Sequence, residues 1–533
     1  MRTNRFLWGI ALTYSMGLVL LGLHFQHALN TDAVAYLRIA SYYAAGKWDL
    51  AVSGYLGPLA SWFMAVFLKL GVSPLAAGRG FMGVSAIVFL WGCVAVFRTS
   101  QLPEKWELTG AVLAALSGLY WSVQFITPDL FLGGLIGLAV SRQLAGPGLQ
   151  TTSGAIRAGL WWGLACLTKA VAFPLAILAT LAFGALALRN DPLNRRPLLR
   201  NLALIFLALG LVAGPWVLTL SLKYRTPTFS TTPRISHALT GPPDTDRYHP
   251  FARQLRPPAP GRITDWEEPS RMDYRYWSPF ESPAYAWHQL KVIGRNIFIC
   301  LALLTSLNLA WPALILSVAS PRTRRRIDAA ALRILENSLV VPFLLLILYL
   351  PCYVTWTEQR FFYAAFPFVF TALAQWAVHG RETSRRQASE ATWWWWAVLG
   401  GIAPLAAAVL VAGDAPKMAG DYAADLARRV ESANQAGPVA GSGALPGGRA
   451  GLYLAFLLNQ PWYGDELHPS PASLSTCGAR LVVVTRRSQL ASALDQDPAF
   501  VNLDRQLFAG PTEAVRYPLI VYQINRPASV PDR

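Results

Sequence analysis

Four stretches of this chain, 201–222, 296–320, 337–357 and 393–413, carry no charged residue, and each is long enough to cross the hydrocarbon core of a bilayer, which takes roughly 20 residues of helix. Within lipid every backbone N–H and C=O must be satisfied inside the protein, so runs of this kind form helices and the chain reads as a polytopic helical membrane protein. Composition agrees. Of 533 residues 54% are apolar and only 14% charged, whereas a soluble globular chain carries about a quarter charged residues. A net charge of +17 would suggest nucleic acid in a soluble protein. Here the arginines gather in short loops between apolar runs, the pattern of positive-inside topology, and no nucleic-acid partner is expected. Cys93, Cys166, Cys300, Cys352 and Cys477 are scattered without metal-type spacing and imply neither a disulfide framework nor a zinc site. Arg2 and Arg5 precede an apolar run that is long for a signal peptide and lacks a small-residue cleavage site, which reads as an uncleaved anchor.

Eleven spans are expected, at about 6–24, 79–97, 107–126, 129–145, 154–169, 170–188, 200–222, 293–318, 336–355, 360–378 and 393–412. The apolar segment Pro58 to Leu70 is too short to span comfortably and carries Trp62 and Lys69 as interfacial anchors. Parity supports leaving it out. With a cytoplasmic N-terminus and no crossing there, the clusters Arg189/Arg195/Arg196/Arg200, Arg322/Arg324/Arg325/Arg326/Arg333 and Arg381/Arg385/Arg386 all fall inside. The same parity makes 1–412 a transmembrane domain with external loops at 25–78 and 223–292, and 413–533 an extracytoplasmic domain of an inner (plasma) membrane protein.

In that last region a helical pattern at 417–434 leads to a strand at 438–441, a helix at 449–459, a strand at 481–485, a helix at 488–495 and a strand at 519–524. Strands alternating with helices indicate a small α/β layer. Gly441, Gly443, Gly447 and Gly448 lack the full spacing of a dinucleotide-binding loop and read as a flexible turn. Trp393 to Trp396 read as an interfacial aromatic belt at the inner face.

Ionisable residues are nearly absent from the middles of the spans, where ion- or proton-coupled carriers keep theirs. They collect instead at the external ends. Asp32 follows span one; Pro128-Asp129 opens span four; Lys169 lies between two short spans; Glu358 and Arg360 open span ten. A single such charge is ordinarily a helix anchor. Several carboxylates and cations on one side of one membrane suit a transfer from a lipid phosphate: the departing phosphate needs cations such as Lys169 and Arg360. The incoming hydroxyl or amine needs a carboxylate as general base.

At these residues the chain resembles the GT-C class of integral-membrane glycosyltransferases, in particular the protein O-mannosyltransferase and lipid A aminoarabinose transferase group. The resemblance covers spans one to ten. It rests on Asp32, Tyr36 and the helix through Arg38 to Ala45 closed by Gly46; on Tyr55-Leu56-Gly57-Pro58-Leu59, then Leu70-Gly71 and Arg79; on Asp129; on Gly163-Leu164-Ala165-Cys166-Leu167-Thr168-Lys169 with Pro174 beyond; on Pro215-Trp216; and on Glu358 to Tyr363. Two departures stand out. Ala33 replaces the acid that often follows the first aspartate, and Gly57 replaces the first of two prolines.

The resemblance implies transfer of a sugar from a polyprenyl-phosphate-linked donor to a glycolipid, glycan or protein acceptor, with inversion at the anomeric carbon. Asp32 would be the general base and Asp129 a second carboxylate; Lys169, Arg360, Lys223 and Arg225 would bind the phosphate. Tyr36, Arg38, Tyr55, Arg79, Tyr248, His249 and Glu358 would line the substrate. No cofactor is assigned, and a divalent metal is left open, because the further acidic or His ligands of metal-holding relatives find no match here. Two plainer readings accompany the long loop: its cations gain about 1 kcal/mol each from an anionic membrane surface alone, and Tyr248-His249-Pro250 has the form of a turn. The rival functions are a lipid-linked sugar carrier, which would need a polar pathway through the spans, and a noncatalytic member that binds a partner through its α/β domain.

Overall fold

The structure is a computed structural model describing residues 2–144, 149, 151–190, 195–242, 255–319, 329–379, 389–446, 448–466 and 468–525. It is a helical bundle with a small α/β domain at the C-terminus. The bundle is built from α1 (Arg2–His24), α2 (Thr31–Ala44), α3 (Trp48–Ala51), α4 (Pro58–Lys69), α5 (Pro74–Thr99), α6 (Glu104–Gln124), α7 (Asp129–Leu144), α8 (Thr152–Thr168), α9 (Ala172–Asn190) and α10 (Arg195–Tyr224). It continues with α11 (Thr232–Ala238), α12 (Pro283–Thr305), α13 (Trp311–Ala319), α14 (Ala329–Tyr349), a 3-10 turn at Gln359–Ala365 running into α15 (Phe366–His379), and α16 (Glu390–Ala412). Among the described residues six helices are long and apolar enough to cross a membrane: Pro74–Thr99, Ala172–Asn190, Arg195–Tyr224, Ala331–Tyr349, Gln359–His379 and Glu390–Val411. The other expected spans are helices too, but shorter or less apolar.

One expected span differs. The run at 293–318 is two helices, α12 and α13, because Asn308 breaks it: its Nδ2 donates to the Ala397 carbonyl at 2.8 Å, its Oδ1 accepts from the Ala310 N–H at 3.0 Å, and the Leu309 N–H goes to Gly400 O at 2.9 Å. Those bonds to α16 replace the internal ladder of a continuous helix. The first of the two also begins ten residues earlier than hydropathy suggests, at Pro283, where Ser282 caps it by accepting from the Tyr285 N–H at 3.2 Å.

Helices α5 and α7 form the centre of the bundle. A Cβ on Gly92 would lie 2.3 Å from the Gly134 carbonyl, so this crossing requires glycine on both sides. Small residues at such crossings let backbones meet where no hydrophobic effect drives helices together. The short α4 packs on α2 through Ala60, Ser61, Met64 and Ala65, and Ser61 Oγ donates to the Tyr36 carbonyl at 3.1 Å. The tryptophan run is spread over several partners: Trp394 Nε1 donates to Thr109 at 2.9 Å and its ring lies under Lys105, while Trp395 and Trp396 remain half-exposed.

The C-terminal region opens with α17 (Ala415–Ser432) and contains β1 (Val439–Ala440), a hairpin of β2 (Ala444–Leu445) and β3 (Gly448–Arg449), α18 (Ala450–Leu457), β4 (Leu481–Thr485), β5 (Phe500–Asn502) and β6 (Leu519–Ile524). Its sheet runs β1-β4-β6-β5, with β1 parallel to β4 and the remaining pairs antiparallel. The expected strands and helices are present; the hairpin and β5 are additional, being too short to leave a period in the sequence. The Gly441-Ser442-Gly443 turn is filled by the protein itself: Gly451 N donates to Ser442 O at 2.8 Å and Ala450 N to Gly443 O at 3.3 Å. The amides that open α18 are thereby occupied.

Candidate active site

Asp32 stands in the first turn of α2, where a carboxylate is favoured by the helix dipole. Both of its oxygens are held. Arg360 Nη1 donates to Oδ2 at 2.7 Å, and the indole Nε1 of Trp266 donates to Oδ1 at 3.0 Å. Arg360 also reaches Glu358, donating from Nε to Oε2 at 2.7 Å. A second pair lies beside this one. Lys169 Nζ binds Asp129 Oδ1, and the same ammonium sits 4.5 Å from the centre of the Phe361 ring. The Arg360 guanidinium lies 5.8 Å from that ring and 5.3 Å from Phe125, so both cations neighbour Phe361. Asp129 is buried, and among the described residues its Oδ2 has no hydrogen-bond partner.

Each group is placed by local structure. Helix α8 ends at Thr168, and Lys169 takes the extended C-cap conformation, a position where a cation is favoured. The loop Tyr55-Leu56-Gly57 docks onto that end. A Cβ on Gly57 would stand 2.2 Å from the Thr168 carbonyl oxygen, which is the physical reason for glycine here. Arg360 is fixed from behind: Trp121 stacks on Tyr363 at 3.9 Å and donates to Gln359 Oε1 at 3.2 Å, and Gln359 Nε2 donates to Ser306 Oγ at 2.9 Å. The break between α12 and α13 therefore supports the cation.

Trp266 arrives on the long loop, which Glu267 ties to α2. The buried Glu267 carboxylate accepts from the Ile263 N–H at 2.9 Å, the Thr264 N–H at 3.2 Å and Tyr42 Oη at 2.7 Å. Thr264 in turn caps the 3-10 turn Asp265–Glu267 in a capping box. Burial pushes the Glu267 carboxyl up, against the Tyr42 hydrogen bond and the charges of Arg262 and Arg38. For Asp32 the balance goes the other way. Burial alone would raise its carboxyl, but the charge and hydrogen bond of Arg360, the Trp266 N–H and the charge of Lys169 hold it below the ordinary carboxylate range. Tyr36 and Tyr55 flank it, the latter with its ring 5.1 Å from Trp266. Burial, then the negative charge of Asp32, raises both phenols, so they stay neutral donors.

The structure thus brings Asp32, Asp129, Lys169, Glu358, Arg360, Tyr36 and Tyr55 into one cluster. Other expected residues have other partners. Arg38 donates to Asn459 Oδ1 of the C-terminal domain at 3.0 Å and to Tyr42 at 3.3 Å. Arg79 donates from Nη1 to the Ser122 and Val123 carbonyls and from Nη2 to the Ala28 carbonyl. Lys223 pairs with Glu268 at 2.9 Å, which also accepts from Tyr224 at 2.9 Å. Arg225 is exposed beyond the end of α10 with φ of 55°. Tyr248 and His249 lie outside the described residues. Trp266 is the member that sequence reasoning missed; the Thr264-to-Glu267 capping box was its only readable signal. Among the described residues no three His, Cys, Asp or Glu side chains converge as a metal-ligating group.

No family model matches this sequence, and no curated protein matches it. Among solved structures, the chain is similar to ArnT from Cupriavidus metallidurans bound to undecaprenyl phosphate, with 14% identity, 97% of each chain covered and a TM-score of 0.49. The apo form of that protein gives 15% identity, 95% and 96% coverage and a TM-score of 0.42. Arabinofuranosyltransferase AftD from Mycobacteria gives 12% identity and a TM-score of 0.45, covering 98% of this chain and 40% of that one. All three scores lie below one-half, too low to carry an activity across.

Proposed function

We propose that this chain is a membrane glycosyltransferase that moves a sugar from a polyprenyl-phosphate-linked donor to a glycolipid, glycan or protein acceptor at the extracytoplasmic face. The observation that carries this reading is a carboxylate gripped on both oxygens, Asp32, beside two cations that both lie against the Phe361 ring. Each cation is paired with an acid. A donor phosphate competes with those acids for Arg360 and Lys169, and as Arg360 turns to phosphate, Asp32 loses its counter-ion and becomes a better proton acceptor. The acceptor hydroxyl or amine then attacks the anomeric carbon. The bond from that carbon to the phosphate oxygen breaks, its electron pair stays on the departing polyprenyl phosphate whose added charge the two cations stabilise, and Asp32 takes the acceptor's proton. Asp129, with one oxygen unpartnered, orients a substrate hydroxyl.

Asp32→Asn tests this directly. It keeps size and the Trp266 contact, and it is expected to abolish release of free polyprenyl phosphate from a panel of polyprenyl-phosphate sugars while expression and membrane insertion persist. A fully active Asn variant would remove Asp32 from the chemistry. Binding of the panel without any released polyprenyl phosphate in the wild type would favour a carrier.

A further inference from the structure

A second feature lies outside the active-site cluster. A groove of about 550 Å³ runs between α1 and α5, lined on one side by Ser15, Leu18, Val19, Gly22 and Leu23 and on the other by Leu75, Gly80, Gly83, Val84 and Ile87. Its flanks face outward: Val19, Leu23 and Ile87 are 62%, 64% and 47% exposed. The floor is open as well, since a Cβ on Gly22, Gly80 or Gly83 would meet nothing within 4 Å. One end is polar, formed by Gln26, His27, Ser73 and Arg79. From Ser73 to Ile87 at about 1.5 Å per residue the groove is about 20 Å long. One leaflet of the hydrocarbon core is about 15 Å deep.

The charge at its polar end is uncompensated. Arg79 donates to three neutral carbonyls, and among the described residues it has no carboxylate partner. The nearby Asp421 is already taken by His27, at 2.8 Å, and by Lys417, at 3.0 Å. A largely buried cation without a counter-ion at the head of an apolar groove is costly, and an anion placed there offsets that cost.

We propose that this groove holds an anionic phospholipid, its phosphate at Arg79, His27 and Ser73 and one acyl chain lying over Gly80, Gly83 and Gly22. None of the lining residues belongs to the Asp32 cluster. The lipid would pack α1 against α5 and brace the segment 25–30 that leads into Asp32.

The test uses the full-length protein in a neutral detergent, incubated with a photo-crosslinkable phosphatidylglycerol and read by intact mass. The wild type is expected to crosslink phosphatidylglycerol at least tenfold more than phosphatidylcholine, with the label mapping to α1 or α5. Gly83→Phe, whose Cβ would meet nothing within 4 Å, projects a ring into the groove and is expected to lose that label while keeping its thermal unfolding midpoint. Arg79→Gln is expected to erase the preference for the anionic headgroup. Equal labelling of Gly83→Phe and wild type, equal labelling by the two lipids, or competition by polyprenyl phosphate at lower concentration than phosphatidylglycerol would each overturn the proposal. None of these readouts depends on sugar transfer.

Discussion

The indole hydrogen bond of Trp266 offers the most quantitative test of the active-site geometry. Trp266→Phe removes the 3.0 Å bond to Asp32 Oδ1 and retains most of the ring packing against Tyr55. A hydrogen bond to an ionised group is worth about 1.5–3 kcal/mol. One fifth of the Asp32 side chain is open to solvent, so water recovers part of that loss and the lower end applies. At about 1.36 kcal/mol per pKa unit, the Asp32 carboxyl should rise by about one unit. The sign follows from the bond: it favours the charged form, so its loss favours the proton. In the wild type the carboxyl sits below its unfolded value of about 3.9, so the stability it adds is present above that pH and is lost as pH falls through the lower folded value. The variant loses part of that increment. The assay is kcat/KM against pH, which reports free-enzyme groups, with polyprenyl phosphate release as the signal. The acid limb should move toward neutrality by about one unit, while kcat on the plateau above that limb holds or rises, because a carboxylate that has lost a stabilising donor is the stronger base. An unmoved limb would show that Trp266 does not serve Asp32.

Three further outcomes follow from the same geometry. Gly57→Ala places a methyl 2.2 Å from the Thr168 carbonyl; it should cost about 1–3 kcal/mol, seen as a lower unfolding midpoint in detergent, and lower transfer as Tyr55 is displaced. Asp129→Asn strands the Lys169 charge, and because Lys169 is 23% exposed the loss should fall near the lower end of about 3–5 kcal/mol. The double change Asp129→Leu with Lys169→Met should recover the midpoint but not activity, and recovery of both would strip the pair of any role in transfer. Asn459→Ala cuts the Arg38 bond between the C-terminal domain and α2; proteolysis of that domain should quicken while the Asp32 pH limb stays in place.

Much of the architecture is legible from the chain alone because its causes are local. Charge-free runs give helices wherever they occur, and the order of strands and helices in the last hundred residues shows in their periods. The break at Asn308 is not legible, since the bonds that replace the helical ladder come from α16, some ninety positions away. The two pairs at the site were half visible. Sequence motifs singled out Asp32, Asp129, Lys169 and Arg360, but whether each acid faces a cation or a substrate is a matter of contact.

The sequence by itself determined that this is a multi-helix membrane protein whose ionisable groups avoid the middles of its spans, because burying a charge in hydrocarbon is penalised wherever the residue sits in the chain. Only the tertiary structure decided how those groups pair. It set Arg360 against Asp32 across 328 positions, added Trp266 from a loop held by Glu267, and turned Arg38, Arg79 and Lys223 to other partners. A hydrogen bond forms over about 3 Å, and which groups come within that distance depends on how the helices and the long loop pack, a non-local property that no stretch of sequence contains.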